Sequence, residues 1–192
     1  MNSKKTLCII TCSKQKIWDK NKNNILEKAK NKEDSANSTE QKICDDDKYR
    51  KDISKKAKAK DAYMGKITRL GIKFAEKFFD GNYVIISAKF GFLKPDDEIY
   101  NYNLYLGKLN KEDRKKLIDC LKKQIKEKNL DAYDKIIVIA GKDYLEIVKE
   151  VFKDKKIYTI KGWQNKKYGE KLKLLNEILK RDSITFDFFE EV

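Results

Sequence analysis

The sequence contains no histidine in its 192 residues. That absence removes histidine-based acid–base catalysis, the Ser-His-Asp triad and histidine-ligated zinc. Any chemistry must run on carboxylate, lysine, tyrosine, serine or cysteine. Cysteine is scarce as well: its four copies are Cys8, Cys12, Cys44 and Cys120, with no CxxC pair among them. The four-residue step from Cys8 to Cys12 suits neither a zinc knuckle nor a redox pair. The cysteines read as reduced thiols of a cytoplasmic protein. No signal peptide, lipidation motif or long apolar run is present, so a membrane is not the expected partner. Proline occurs once, at Pro95.

What the chain has in excess is positive charge. Lys+Arg number 45 against 31 Asp+Glu, a formal net charge of +14. A balance that basic makes a polyanion, nucleic acid first, the partner to consider. A lysine-rich coding background would raise lysine everywhere, so where the lysines fall matters more than their number.

Four short apolar runs lack the alternation of half-buried strands: Leu7–Ile10, Tyr83–Ile86, Ile136–Ala140 and Ile157–Ile160. Such runs suit strands covered on both faces. Between them lie amphipathic stretches. Asp61 to about Phe79 carries a stripe of Ile67, Leu70, Phe74 and Phe78, and Asn110 to about Lys128 carries Leu117, Leu121 and Ile125. Helices bearing Leu145, Val148 and Phe152, then Leu172, Leu175 and Leu179, follow the last two strands. Four βα steps predict an α/β fold, three layers α/β/α around a mostly parallel four-stranded sheet. Ile184, Phe186 and Phe188 suggest a final edge strand or a docked extension. The whole chain, 1–192, reads as a single domain with one polar, basic insertion at about 21–58. Asp45-Asp46-Asp47 in that insertion lacks calcium-loop spacing and reads as a solvated acidic run. Nothing calls for a cofactor or a metal.

In a parallel sheet every strand exit lies along one edge, where open α/β sheets place ligands. The exits here read Ser13-Lys14, Ser87-Ala88-Lys89, Gly141-Lys142 and Lys161-Gly162-Trp163. Each sets lysine beside a small residue. Ser13, Lys14, Lys16, Ser87, Gly141, Lys142 and Tyr144 are the candidate phosphate-binding residues, the glycine turn at Gly141 opening onto helix N–H donors. The stretch Tyr83–Tyr102 is the most concentrated. Its strand gives way to a long irregular loop dense in lysine, carboxylate and aromatic groups, the kind usually kept for function. Trp18, Tyr63, Phe90 and Tyr102 offer faces on which a base can stack, and the Asn103 amide can read a base edge.

The segments TCSKQKIWD, AKDAYMG, ISAKFGFLKPDDEIYNYNL and IVIAGKDY resemble, in order and spacing, a family of small YaaA-related proteins. The resemblance covers nearly the whole chain apart from the insertion. It implies a uracil-DNA-glycosylase-like fold and a nucleobase, often a modified one, as the ligand. Two positions depart from the family's pattern: Phe90 stands where relatives often carry histidine or tyrosine, and Asn103 where many carry aspartate.

Together these imply a DNA glycosylase that flips out a modified base, such as one in hypermodified phage DNA in an antiviral setting, and leaves an abasic site. The resemblance places the water-activating acid after the first strand, at Asp19. Asp96 is the second candidate, although it also suits a turn after Pro95. Lys89 is the candidate for a Schiff-base variant. DNA is favoured over RNA. The alternatives are a DNA-binding stress protein without chemistry, and a transferase acting on a modified base in tRNA.

Overall fold

The structure is a computed structural model that describes residues 5–21, 43–44 and 56–192. The acidic run Asp45–Asp47 and most of the expected insertion lie outside the described residues.

The four apolar runs form β1 (Thr6–Thr11), β3 (Tyr83–Ser87), β6 (Lys135–Ile139) and β7 (Lys156–Ile160). They are mutually parallel in the order β3-β1-β6-β7, with Cys8 beside both Tyr83 and Ile137 and Ile136 beside Ile157. The sheet, however, has six strands rather than four. β4 (Gly91–Leu93) runs antiparallel to β3 at one edge, and β8 (Phe189–Glu191) antiparallel to β7 at the other. Each edge strand has three residues, too few to show a period. A separate two-stranded ladder pairs β2 (Lys56–Lys58) with β5 (Glu98–Tyr100).

Alternate residues of the parallel strands feed two cores. Cys8, Ile10, Ile85, Ile137 and Ile139 face one, where α2 (Lys66–Phe78) packs on α5 (Tyr168–Leu179). Leu7, Ile9, Val84, Ile136 and Val138 face the other, under α3 (Lys111–Glu127) and α4 (Lys142–Val151). The arrangement is three layers. Asn110 caps α3 by accepting the Asp113 N–H at 2.8 Å, as its position implies. Among the described residues, no helix is long and apolar enough to cross a membrane.

The single helix expected over 61–79 is two. α1 (Ala59–Ala62) stops, and α2 begins at Lys66. Between them the backbone turns aside to meet the exit of β1: Lys16 bridges Tyr63, and the Met64 N–H donates to the Gln15 carbonyl at 2.9 Å. This pairing is non-local, so helical periodicity could not reveal it.

The loop expected after β3 is not irregular. A tight turn over 88–90 leads into β4, made possible by Gly91 at φ +69°, and the chain runs back along β3. From α3, the Gln124 carboxamide accepts the Phe92 N–H (2.6 Å) and donates to the Phe90 carbonyl (2.9 Å). A Cβ on Gly91 would fall 2.3 Å from Gln124 Oε1. The turn is thus held from the helix on both sides.

Cys44 and Cys120 form a disulfide, which corrects the expectation that all four thiols are reduced. The partners stand 76 residues apart, and no spacing rule announces such a pair. The bridge also removes cysteine usage as an argument for a reducing compartment. Cys120 lies on α3, and the Cys44 N–H donates to the Lys89 carbonyl at 2.8 Å, adding a third hold on the 88–90 turn. Reducing the bridge, or making Cys120→Ser, is expected to lower the unfolding free energy by about 2–4 kcal/mol. Urea titrations with and without reductant measure this; coincident midpoints would show that the bridge adds nothing.

Candidate functional site

The exit of β1, Thr11-Cys12-Ser13-Lys14, stands as a ridge between two clefts at the carboxyl edge of the parallel strands. One cleft, about 390 Å³, is closed on its far side by Leu104–Gly107 and by Gly141–Tyr144 at the start of α4. The other, about 440 Å³, is bounded by Gly65–Thr68 at the start of α2, by Ala140, Gly141 and Trp163, and by Tyr168 and Lys171 of α5. Both volumes fall in the range of small-molecule sites.

The ridge is fastened to α2. Ser13 Oγ accepts the Gly65 N–H at 3.0 Å and donates to the Gln15 carbonyl at 2.7 Å. The approach is so close that a Cβ on Gly65 would lie 2.5 Å from Ser13 Cβ, hence glycine there. Neither α2 nor α4 has a side-chain cap. The starts of both helices, where backbone N–H groups lack acceptors within the helix, line the clefts.

Beneath the ridge lies a buried polar chain. The Tyr63 and Tyr102 hydroxyls meet at 2.8 Å, and Tyr102 reaches Ser87 Oγ at 3.0 Å. Ser87 in turn accepts the N–H groups of Lys89 (3.2 Å) and Phe90 (3.3 Å). Cys12 Sγ lies 3.4 Å from Tyr144 Oη. Burial raises the pKa of all three tyrosines, so they stand as neutral phenols. Lys16 Nζ donates to the Lys14 carbonyl at 3.1 Å and lies 4.1 Å from the centre of the Tyr102 ring. Burial lowers its pKa, opposed by the nearby Cys12 and Asp19.

Of the expected phosphate ligands, Ser13, Lys14, Gly141, Lys142 and Tyr144 come together around the first cleft. Ser87 and Lys16 do not reach it; both are buried below. The expected base-stacking rings are not in the clefts either. Tyr63 and Tyr102 are buried, and Phe90 is wedged edge-on against Tyr100 and Tyr102 with ring centres 5.2 and 5.0 Å apart. Trp18 packs half-buried on the core, and Asn103 is exposed but lines neither cleft.

The three expected catalytic groups fare likewise. Lys89 is only 2% exposed. Asp19 closes a local turn, its carboxylate accepting the Lys16 N–H at 2.8 Å. Asp96 sits at the opposite, amino end of the sheet, because β4 doubles back and carries the 94–97 turn there. Lys58 and Lys60 hold its carboxylate, each at 3.0 Å, and lower its pKa.

Asp143, Tyr105, Tyr168 and Lys171 also line the clefts and were not among the expected site residues. Asp143, in the first turn of α4, is the one carboxylate lining either cleft among the described residues. A negative side chain there complements the helix dipole. Tyr105 stands in the first cleft, with Lys14 and Lys108 Nζ 5.6 and 5.5 Å from its ring centre. In the second cleft Lys171 Nζ lies 5.1 Å over Trp163, whose indole N–H donates to the Ala140 carbonyl at 2.8 Å. Burial lowers the Lys171 pKa. A signal was present in Gly141-Lys142-Asp143-Tyr144, a glycine turn with an acid one step inside the helix. Among the described residues, no group of three or more Cys, Asp or Glu is placed to hold a metal.

Cys8 and Cys12 are the unpaired thiols, and burial raises the pKa of both. Native protein at neutral pH is therefore expected to alkylate slowly at both, and quickly once unfolded. A fast-reacting thiol in the native state, located by peptide mass mapping, would contradict this.

The family described as "Family of unknown function (DUF6884)" matches residues 44–177. The span takes in both cleft walls from Gly65 onward but not the β1 ridge. The chain is also 30% identical over 148 residues to the "Uncharacterized protein YfjM" of Bacillus subtilis (strain 168), 77% of each chain being covered. No solved structure matches.

Proposed function

The chain belongs to the family of unknown function DUF6884, and we propose that it excises a modified nucleobase from DNA by hydrolysing the N-glycosidic bond. The observation that carries this reading is one carboxylate, Asp143, set in a lysine- and tyrosine-lined cleft at the carboxyl edge of a parallel sheet. Such an enzyme needs cations for the phosphates, a ring for the base and an acid for the water. Lys14 and Lys142 supply the first and Tyr105 the second. Asp143 orients a water toward the sugar C1′ and offsets positive charge developing on the ring. As the C1′–O bond forms, the water's proton passes to the Asp143 carboxylate, the C1′–N bond breaks, and its electron pair leaves with the base, which takes up a proton from solvent. Tyr144, a neutral phenol lining the same cleft, can donate a hydrogen bond to the departing base.

This assignment moves the acid from Asp19 and Asp96 to Asp143. It sets aside the Schiff-base variant, because Lys89 is buried. Three layers around four parallel strands support the likeness to the uracil-DNA-glycosylase fold. A cytoplasmic role in defence against phage with hypermodified DNA fits the same chemistry.

A second reading, DNA binding without catalysis, is favoured by one observation: neither carboxylate first expected to be catalytic lines either of these two clefts. One experiment separates the two. The protein is incubated with plain and hypermodified DNA, released bases are identified by mass spectrometry, and abasic sites are scored by alkali cleavage. Base release with abasic sites supports the glycosylase. Salt-dependent binding with no released base supports the binding module.

A further inference from the structure

The two clefts share Thr11, Cys12, Ser13, Lys14 and Gly141, so they are the two sides of one ridge. Among the described residues, the large hydrophobic side chains left exposed are Ile17, Tyr105 and Tyr168. The two tyrosines, 39% and 57% exposed, stand one in each cleft. Each has lysine close by. Lys14 and Lys108 flank Tyr105, and Lys66 and Lys171 line the cleft of Tyr168. Lys14 lines both clefts.

From this symmetry we infer that the ridge divides a two-nucleotide site for an unpaired DNA strand. Neighbouring bases lie one on each side, against Tyr105 and Tyr168, and Lys14 holds the phosphate that joins them. The inference rests on the nucleic-acid reading of the first cleft and names the form of the substrate. A ring with an exposed face stacks any base, and a nearby ammonium favours both the ring and the phosphate. In a duplex, adjacent bases are stacked on each other and paired across the helix, which leaves no room for a wall of protein between them. A strand that straddles the ridge must have its neighbouring bases splayed apart. The substrate is therefore single-stranded or locally melted DNA, not an intact duplex from which one nucleotide is extruded.

The test is fluorescence anisotropy with a labelled 12-mer, presented as a single strand and as a duplex. The wild type is expected to favour the single strand. Tyr105→Ala and Tyr168→Ala should each weaken single-strand binding about 5- to 100-fold, and Tyr105→Phe and Tyr168→Phe should restore it. Both tyrosines are exposed, so these variants are expected to fold. Lys14→Gln should reduce the salt slope by about 0.7, the share of one phosphate contact on a single strand. Equal affinity for the two forms, or indifference of single-strand binding to Tyr168→Ala, would overturn the two-nucleotide site while leaving the first cleft's function standing. Absence of salt-dependent binding to either form would overturn both.

Discussion

Asp143→Asn is expected to slow base release by about 10²-fold or more, the usual share of a positioned acid or base, while DNA binding stays intact or tightens slightly. The sign of the binding change follows from charge. Asp143 lies in a cleft that also holds Lys14 and Lys142, so removing its negative charge eases the approach of a phosphate backbone. A variant that loses turnover but keeps its grip on DNA would identify Asp143 as a participant in the chemistry. Single-turnover release from a reactive modified substrate measures the first effect, and anisotropy the second. Asp19→Asn and Asp96→Asn are the comparison. Asp19 accepts a backbone N–H in its own turn and Asp96 pairs with Lys58 and Lys60 at the far end of the sheet, so neither should change the rate by a comparable factor. A full rate in Asp143→Asn would remove Asp143 from the mechanism, and the water would have to be activated by another group.

Phe74→Ala is expected to cost about 3–5 kcal/mol of stability, the range for deleting a buried phenyl ring. Phe74 is fully buried on α2, with the rings of Phe78, Phe79 and Phe189 centred 5.3, 5.5 and 6.5 Å away. It therefore ties the helix to its own C-terminal turn and to the edge strand β8. A loss of that size is a large share of the roughly 5–15 kcal/mol that holds a typical domain together. The urea midpoint should fall steeply, and Phe74→Leu, which keeps most of the volume, should fall much less. A small shift in Phe74→Ala would mean that the aromatic cluster collapses around the gap.

The parallel heart of the sheet was legible because its strands are buried on both faces, and unbroken runs such as IIVI record that directly. The edges were not, since three residues such as GFL carry no period. What sequence alone could not supply were contacts between distant segments. Tyr63 breaks a helix only because Lys16 comes to bridge it. Asp96 leaves the carboxyl edge only because Gly91 lets the chain reverse. Buried aromatic rings such as Tyr63 and Tyr102 were read as surface platforms for the same reason, because their hydroxyls find partners on other elements. The strand-exit residues expected to bind phosphate were easier to place, since topology alone puts Ser13, Lys14 and Gly141 on one edge.

The fastening of the β1 exit has a thermodynamic consequence. With the Ser13 hydroxyl bonded to both Gly65 and Gln15, and the Gln15 carbonyl to Met64, the protein side of the site is preorganised. Little loop-ordering entropy is left to lose on binding, so the cost of immobilisation falls on the ligand. A dinucleotide should then retain most of the stacking contribution of a long oligomer, with each added nucleotide beyond the ridge contributing only a salt-sensitive increment.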